Sequence, residues 1–316
     1  MSTTVDVDTV NDVPLEITEG KKARKWARKE AKEGSETGDW RKVTPTKIIA
    51  FLFLLAMAMI WLVPVVWTAL QSFRAESEII REPHRWLPIH WVLENYTSAL
   101  FSTSTPVMRW LLNSFFISGM HTLLALIVVS LTAYGYTRVN FRGRDTLFAA
   151  LLATMMFPAV MNLIPLYAIV NTFGWINRPI AAIVPGLGGV FNIFLVRQFM
   201  RGIPKEFDES ARIDGASEWQ IFWRIMLPLI RPVLTVVALF SFTGSWNDFL
   251  WPSIVFNDVN NLPLTPGLQL LQGTFQARLG ALLAGAIIAI VPTLILYLFT
   301  QKYFLESLSL SSGVKG

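Results

Sequence analysis

Cysteine is absent from the 316-residue chain, which excludes disulfides, thiolate metal sites, iron–sulfur clusters and cysteine nucleophiles. Histidine is almost absent as well. His84 and His90 stand in a polar stretch and His121 alone in an apolar one; none forms the i, i+4 pair of a helical zinc site, so no metal site is expected. No Gly-x-x-x-x-Gly-Lys-Ser/Thr phosphate loop occurs, since the glycines from 186 to 189 lack the following lysine, and no Gly-x-Ser-x-Gly elbow accompanies His121. The chain is therefore expected to bind no cofactor and to hold no catalytic residue of its own. Charge is scarce too. Only 16% of residues are charged against 53% hydrophobic, a balance too apolar for a soluble domain with a polar shell.

The apolar residues are gathered into long runs. A membrane helix needs about 20 mostly apolar residues, and six such stretches occur, at 48–73, 111–136, 147–170, 180–200, 229–256 and 279–303. The expected fold class is an all-α membrane protein with six transmembrane helices. Residues 1–47 are polar and precede a run too long for a signal-peptide core, so they read as a cytoplasmic tail before an uncleaved first helix. With that tail inside, twenty-one Lys and Arg fall on the inner side and six on the outer, which places both termini inside. The tail is acidic to residue 19 and dense in Lys and Arg from 21 to 32. That basic stretch suits either a solvated, topology-setting tail or contact with anionic lipid.

The segment between the fourth and fifth runs is more than a connector. Pro204 suits a first helical turn, Glu206, Asp208 and Glu209 complement its positive end, and Gly215 supplies a left-handed stop. A short helix over 204–214 is predicted. Ser217 and Gln220 fit a capping box that starts a second helix running toward the membrane. Phe207, Ser210, Ala211 and Asp214 follow i, i+3, i+4, i+7 spacing along one face of the first helix. By spacing alone, that face either docks into another protein or packs beneath the bundle.

The run Glu209-Ser210-Ala211, then Gly215 after three residues and Ile225-Met226-Leu227-Pro228 after nine more, resembles the cytoplasmic "EAA" signature of permease subunits of binding-protein-dependent ABC importers. Ser210 is the one departure in its core. Asn113-Ser114, the Ala133 to Arg138 stretch and Trp246-Asn247-Asp248 look like the carbohydrate-uptake branch. The terminal Ser312-Gly313-Val314-Lys315-Gly316 is similar to the end of its maltose-type G subunit. Phe304-Leu305 followed by Glu306-Ser307 departs from the glycine that often stands there. The resemblance implies the type I ABC importer permease fold with a cytoplasmic coupling helix in a bacterial cytoplasmic membrane. It divides the chain into a tail at 1–47, a first helix at 48–73, a core at 111–304 with the coupling loop at 201–228, and an inner tail at 305–316.

It also implies partners: a second permease subunit, two ATP-binding subunits that use ATP and Mg, an extracytoplasmic substrate-binding protein and the lipid bilayer, with no nucleic acid. Phe207, Glu209, Ser210, Ala211, Asp214, Gly215, Ala216, Leu227 and Pro228 are then the ATPase-coupling residues, with Glu209 a polar anchor, Ala211 allowing close approach and Gly215 making the turn. Polar groups within apolar runs usually face a bundle interior or a water-filled path; Asn113, Asn162, Asn192, Trp246, Asn247 and Asp248 are the candidates for the solute path. For each the alternative is a structural hydrogen bond. The implied cargo is a sugar or oligosaccharide; a polyol or glycerol phosphate, or a secondary transporter without an ATPase, are the competing readings.

Overall fold

Segments this apolar can satisfy their amides in lipid only by bonding within themselves, which selects helices. The computed structural model describes residues 45–101, 106–273 and 278–312, and among these no β-strand occurs. The tail before residue 45, the terminal residues 313–316 and the side chains from 302 onward, including Phe304 to Ser307, lie outside the described residues. The chain divides into two compact units, Met1–Pro64 and Val65–Gly316. Of the first, the described part is the beginning of α1 (Pro45–Ser72), apolar and exposed throughout.

The second unit follows with α2 (Glu76–Arg81), α3 (Glu94–Phe101), α4 (Val107–Arg138), α5 (Arg144–Ala153), α6 (Leu163–Thr172), α7 (Ile180–Ile183) and α8 (Val190–Arg201). Next come α9 (Glu206–Ile213) and α10 (Glu218–Leu229), then α11 (Arg231–Asn247), α12 (Leu250–Val255), α13 (Leu264–Gly273) and α14 (Leu279–Ser312). The central helix is α4. It packs along α8 and α11, and α11 packs in turn on α14.

Three of the six expected spans, in α1, α4 and α14, are continuous helices long and apolar enough to cross a membrane. The other three are helical but interrupted, and proline or glycine stands at each principal break. The third stretch bends by 98° between Met156 and Ala159, where Pro158 lacks an N–H and forces Phe157 into the extended region. The fourth splits into α7 and α8 around Gly186, whose φ of +83° only glycine adopts easily. The fifth turns by 78° at its start, at Ile230 between Pro228 and Pro232, and opens again at Asp248 before α12. Counting each of the two bent pairs as one span gives up to five by length and composition.

Two apolar cores are stacked along α4. One gathers Val107, Trp110 and Ile117 with Trp246, Trp251, Leu264 and Ala281. The other, toward the basic end, gathers Val129, Ala133 and Tyr134 with Val196, Met200, Phe222, Met226 and Val233. The first is closed by a polar frame. Glu76 accepts the free N–H groups of Leu279 and Gly280 at 2.9 Å each, capping α14 from another element. The buried Arg74 guanidinium donates to Gln71 and to the carbonyls of Glu78, Glu82 and Arg85. Asn95 binds the carbonyls of Ser72 and Arg74.

The same core admits no side chain at Gly267, where a Cβ would run into the Trp110 ring, whereas at Gly119 the space is open. Gly267→Ala should therefore destabilise the protein by about 1–3 kcal/mol through overpacking. Gly119→Ala, inside a helix, should be neutral or stabilise by roughly 0.5–1 kcal/mol. Thermal melts of the two variants in detergent, run beside the parent, check the contrast.

Candidate functional site

The segment between α8 and α11 forms the two helices its residues predict. Lys205 precedes α9, whose first turn carries Glu206, Asp208 and Glu209. At its end the N–H of Ala216 reaches the Ala211 carbonyl at 2.9 Å, the N–H of Gly215 reaches that of Arg212 at 3.0 Å, and Gly215 has φ +82°. This Schellman arrangement satisfies carbonyls the helix leaves free. Ser217 and Gln220 form the expected capping box, each side chain bonded to the other's backbone N–H.

What holds this pair to the bundle is the basic end of α4. Arg138 donates to the carbonyls of Met200 at 3.2 Å and Ile203 at 2.8 Å, closing the end of α8. Its Nε lies 3.0 Å from Asp208 Oδ2, and the two side chains are 3% and 2% exposed. The contact is an ion pair and not an aligned hydrogen bond, because Arg138 Nε and Asp208 Oδ1 both lack hydrogen-bond partners. Burial pushes the Asp208 carboxyl up, against the pull of Arg138 and Arg212.

One turn earlier on α4, the Tyr134 hydroxyl donates to Glu218 Oε2 at 2.7 Å, and Arg212 Nε donates to Glu218 Oε1 at 2.7 Å. Those bonds, Arg212's first, hold the Glu218 carboxyl below the usual carboxylate range. Tyr134 also meets the Phe222 ring edge-on at 5.2 Å, and Phe222 and Met226 enter the second core. Thus α9 is fixed to α4 by a buried charge pair, and α10 by a hydroxyl, an aromatic contact and apolar burial.

The clamp divides the expected coupling residues. Phe207, Glu209, Ser210, Asp214 and Gly215 are exposed, and Ala216 is half-buried. Ala211 is a correction to the single-face expectation: it is buried beside Asp208 on the inner side of α9. A helix of eight residues anchored through Asp208 turns the i+3 position inward too. Leu227 and Pro228 are partly buried at the bend into α11, a joint and not an outer surface. The outward side carries large apolar groups the spacing did not single out: Ile213 is 87% exposed, and Trp219 and Trp223 are exposed with their rings in edge contact at 5.6 Å. No periodic signal marked Asp208 and Arg138 as partners; only the position of a lone arginine closing an apolar run hinted at it.

The expected solute-path residues are not brought together. Trp246 is 1% exposed, stacked on Phe242, with its indole N–H on the Ala289 carbonyl at 3.1 Å. Its ring face is thus committed to packing in this conformation. Asn113 bonds the carbonyls of Asn260 and Leu262, and Asn192 bonds Ser241 across α8 and α11. Asn162 is exposed, Asn247 bonds within its own helix to Thr243, and Asp248 accepts the N–H of Trp251 as the start of α12.

Residues 127–304 match the family described as binding-protein-dependent transport system inner membrane component. The chain is 34% identical over 283 residues to the arabinooligosaccharides transport system permease protein of Halalkalibacterium halodurans, covering 87% of this chain and 99% of that one. It is 32% identical to the diacetylchitobiose uptake system permease protein of Streptomyces coelicolor, covering 83% and 87%. Its fold matches a crystal structure of a bacterial ABC transporter involved in the import of the acidic polysaccharide alginate, with a TM-score of 0.73 at 22% identity over 83% of this chain and 99% of that one. The observed fold is accordingly the type I permease fold that the sequence resemblance implied.

Removing one member of a buried pair strands the other. Arg138→Ala, which leaves Asp208 uncompensated and two carbonyls open, should cost about 3–5 kcal/mol. Arg212→Ala, in an exposed pair, should cost less than about 1 kcal/mol. Thermal unfolding of the purified variants distinguishes the two.

Proposed function

Since the chain belongs to the family of binding-protein-dependent transport system inner membrane components, we propose that it is the sugar-translocating permease subunit of an ABC importer, with an oligosaccharide as cargo. The permeases it resembles are named for arabinooligosaccharide transport and diacetylchitobiose uptake, which supports that class of solute. On this reading the chain lies in a bacterial cytoplasmic membrane with its polar tail and both termini inside. It pairs with a second permease, receives solute from an extracytoplasmic binding protein and draws on two ATP-binding subunits. ATP and Mg are used there and not by this chain.

The observation that carries the reading is the construction of α9 and α10. Large exposed apolar side chains, Phe207, Ile213, Trp219 and Trp223, stand among charged residues on a helix pair whose other side is clamped to the bundle. Exposed apolar surface rimmed by polar groups is characteristic of a docking face. When the ATPase subunits close on ATP, a docked α9 is displaced and the bundle alternates its open side. A secondary transporter has no use for such a face. The solute route runs between this chain and its permease partner, with Asn162, Asn247 and Asp248 the polar groups of this chain least committed to its own packing.

Gly215→Pro should eliminate coupling, because proline cannot hold a φ of +82°, and Glu209→Lys should do so by reversing charge on the docking side. Both variants should insert and fold normally, yet lose ATPase activity stimulated by the loaded binding protein. Sugar uptake at the parent rate in either one argues against docking through α9.

A further inference from the structure

The family reading places motion at α9 but leaves open which helix receives it. By covalent connection the recipients would be α8, through residues 202–205, and α11, through the bend at Ile230. The geometry points to a different route: we propose that the Arg138–Asp208 pair, with Tyr134–Glu218 as a second latch, makes α4 the receiving helix, so that α4, α9 and the end of α8 move as one body. The proposal rests on the coupling role of α9.

Three features single out this junction. First, Arg138 joins three segments at once: its own helix, the carbonyls that end α8 and the Asp208 carboxylate of α9. A planar guanidinium with fixed donor directions tolerates little relative rotation among them. Second, the pair is almost wholly buried, and Asp208 Oδ1 has no partner. If α9 moved away from Arg138, both buried charges would be left uncompensated, so the charge pair resists separation while permitting joint displacement. Third, Glu218 links the latch on α10 to α9 through Arg212, and both latches lie on the same face of α4 in successive turns, at Tyr134 and Arg138. The connection to α11, by contrast, runs through a proline-flanked bend at Ile230, a place where a chain absorbs rotation, whereas the turn at Gly202 lies between the two carbonyls that Arg138 holds. The helix that takes up the displacement is also the one around which both apolar cores are built.

In this scheme Asp208 and Arg138 are positioning residues. Neither belongs to the exposed docking face. The chain contains no cysteine, so spin labels can be placed at Lys205→Cys, beside α9, and Leu123→Cys, exposed on α4, without background. The measurement is the distance between them by pulsed electron paramagnetic resonance in the intact complex purified with its ATPase subunits, without nucleotide and after trapping with ATP and vanadate. In the otherwise native chain the distance should be single and unchanged by trapping. In Asp208→Asn that invariance should be lost, with a trapping-dependent shift while the ATPase subunits remain bound, and Asp208→Glu should largely restore it. A pair that merely stabilised the fold would not give a nucleotide-dependent distance.

The proposal is overturned if the native distance itself changes on trapping, if Asp208→Asn stays invariant, or if that variant sheds its ATPase subunits. Should Asp208→Asn not fold, Tyr134→Phe combined with Glu218→Gln decides the matter: a trapping-dependent distance supports the proposal and an invariant one overturns it. Failure of the coupling reading itself would look different, as a native complex that retains no ATP-hydrolysing subunit.

Discussion

A charge removed from water must keep its partner, and the basic end of this protein is organised around that constraint. The Arg138 guanidinium ends α4, and its remaining donors close the carbonyls of α8 while its charge faces Asp208 of α9. The desolvation cost of such a pair is large, so it is poor evidence of net stability. Its consequence is specificity of position. The short helix α9 has too few residues to be stable alone, and through Asp208 it acquires one fixed seat. Its inward face is then settled, and with it the outward display of Phe207 and Ile213.

The opposite end of α4 is organised mainly by side chains directed at backbone groups instead. Glu76 caps α14 across the fold, Arg74 serves four acceptors, and Trp110 and Asn113 hold the carbonyls of Val259, Asn260 and Leu262. In each case a side chain completes backbone groups that a helix end or a loop leaves open, as burial requires. Between these two frames lie the interrupted spans. Pro158, Gly186 and the Pro228–Pro232 pair break helices where a neighbouring segment can absorb the change in direction, which is how irregular backbone is tolerated at membrane depth.

Much of this was legible from residues alone because the relevant rules are local. Helicity followed from apolar length, the end of α9 from Gly215, and the start of α10 from Ser217 and Gln220, where geometry reproduced the reciprocal cap. The spacing of Glu209, Gly215 and Ile225 to Pro228 was enough to suggest the family that the comparisons bear out. Continuity of the third, fourth and fifth spans was not legible, since hydropathy sums over a window and is blind to a single proline or glycine that redirects it.

By itself the sequence determined which segments are apolar, where the short helices stop, and that no thiol chemistry is available, because composition and near-neighbour spacing are properties of the chain before it folds. Only the tertiary structure decided which side of α9 is inward, that Asp208 meets Arg138 from seventy positions away in sequence, and that Trp246 is a packed strut and not an open sugar platform. Those outcomes depend on which groups compete for the same buried space and the same hydrogen-bond donors. That competition exists only once the helices have come together.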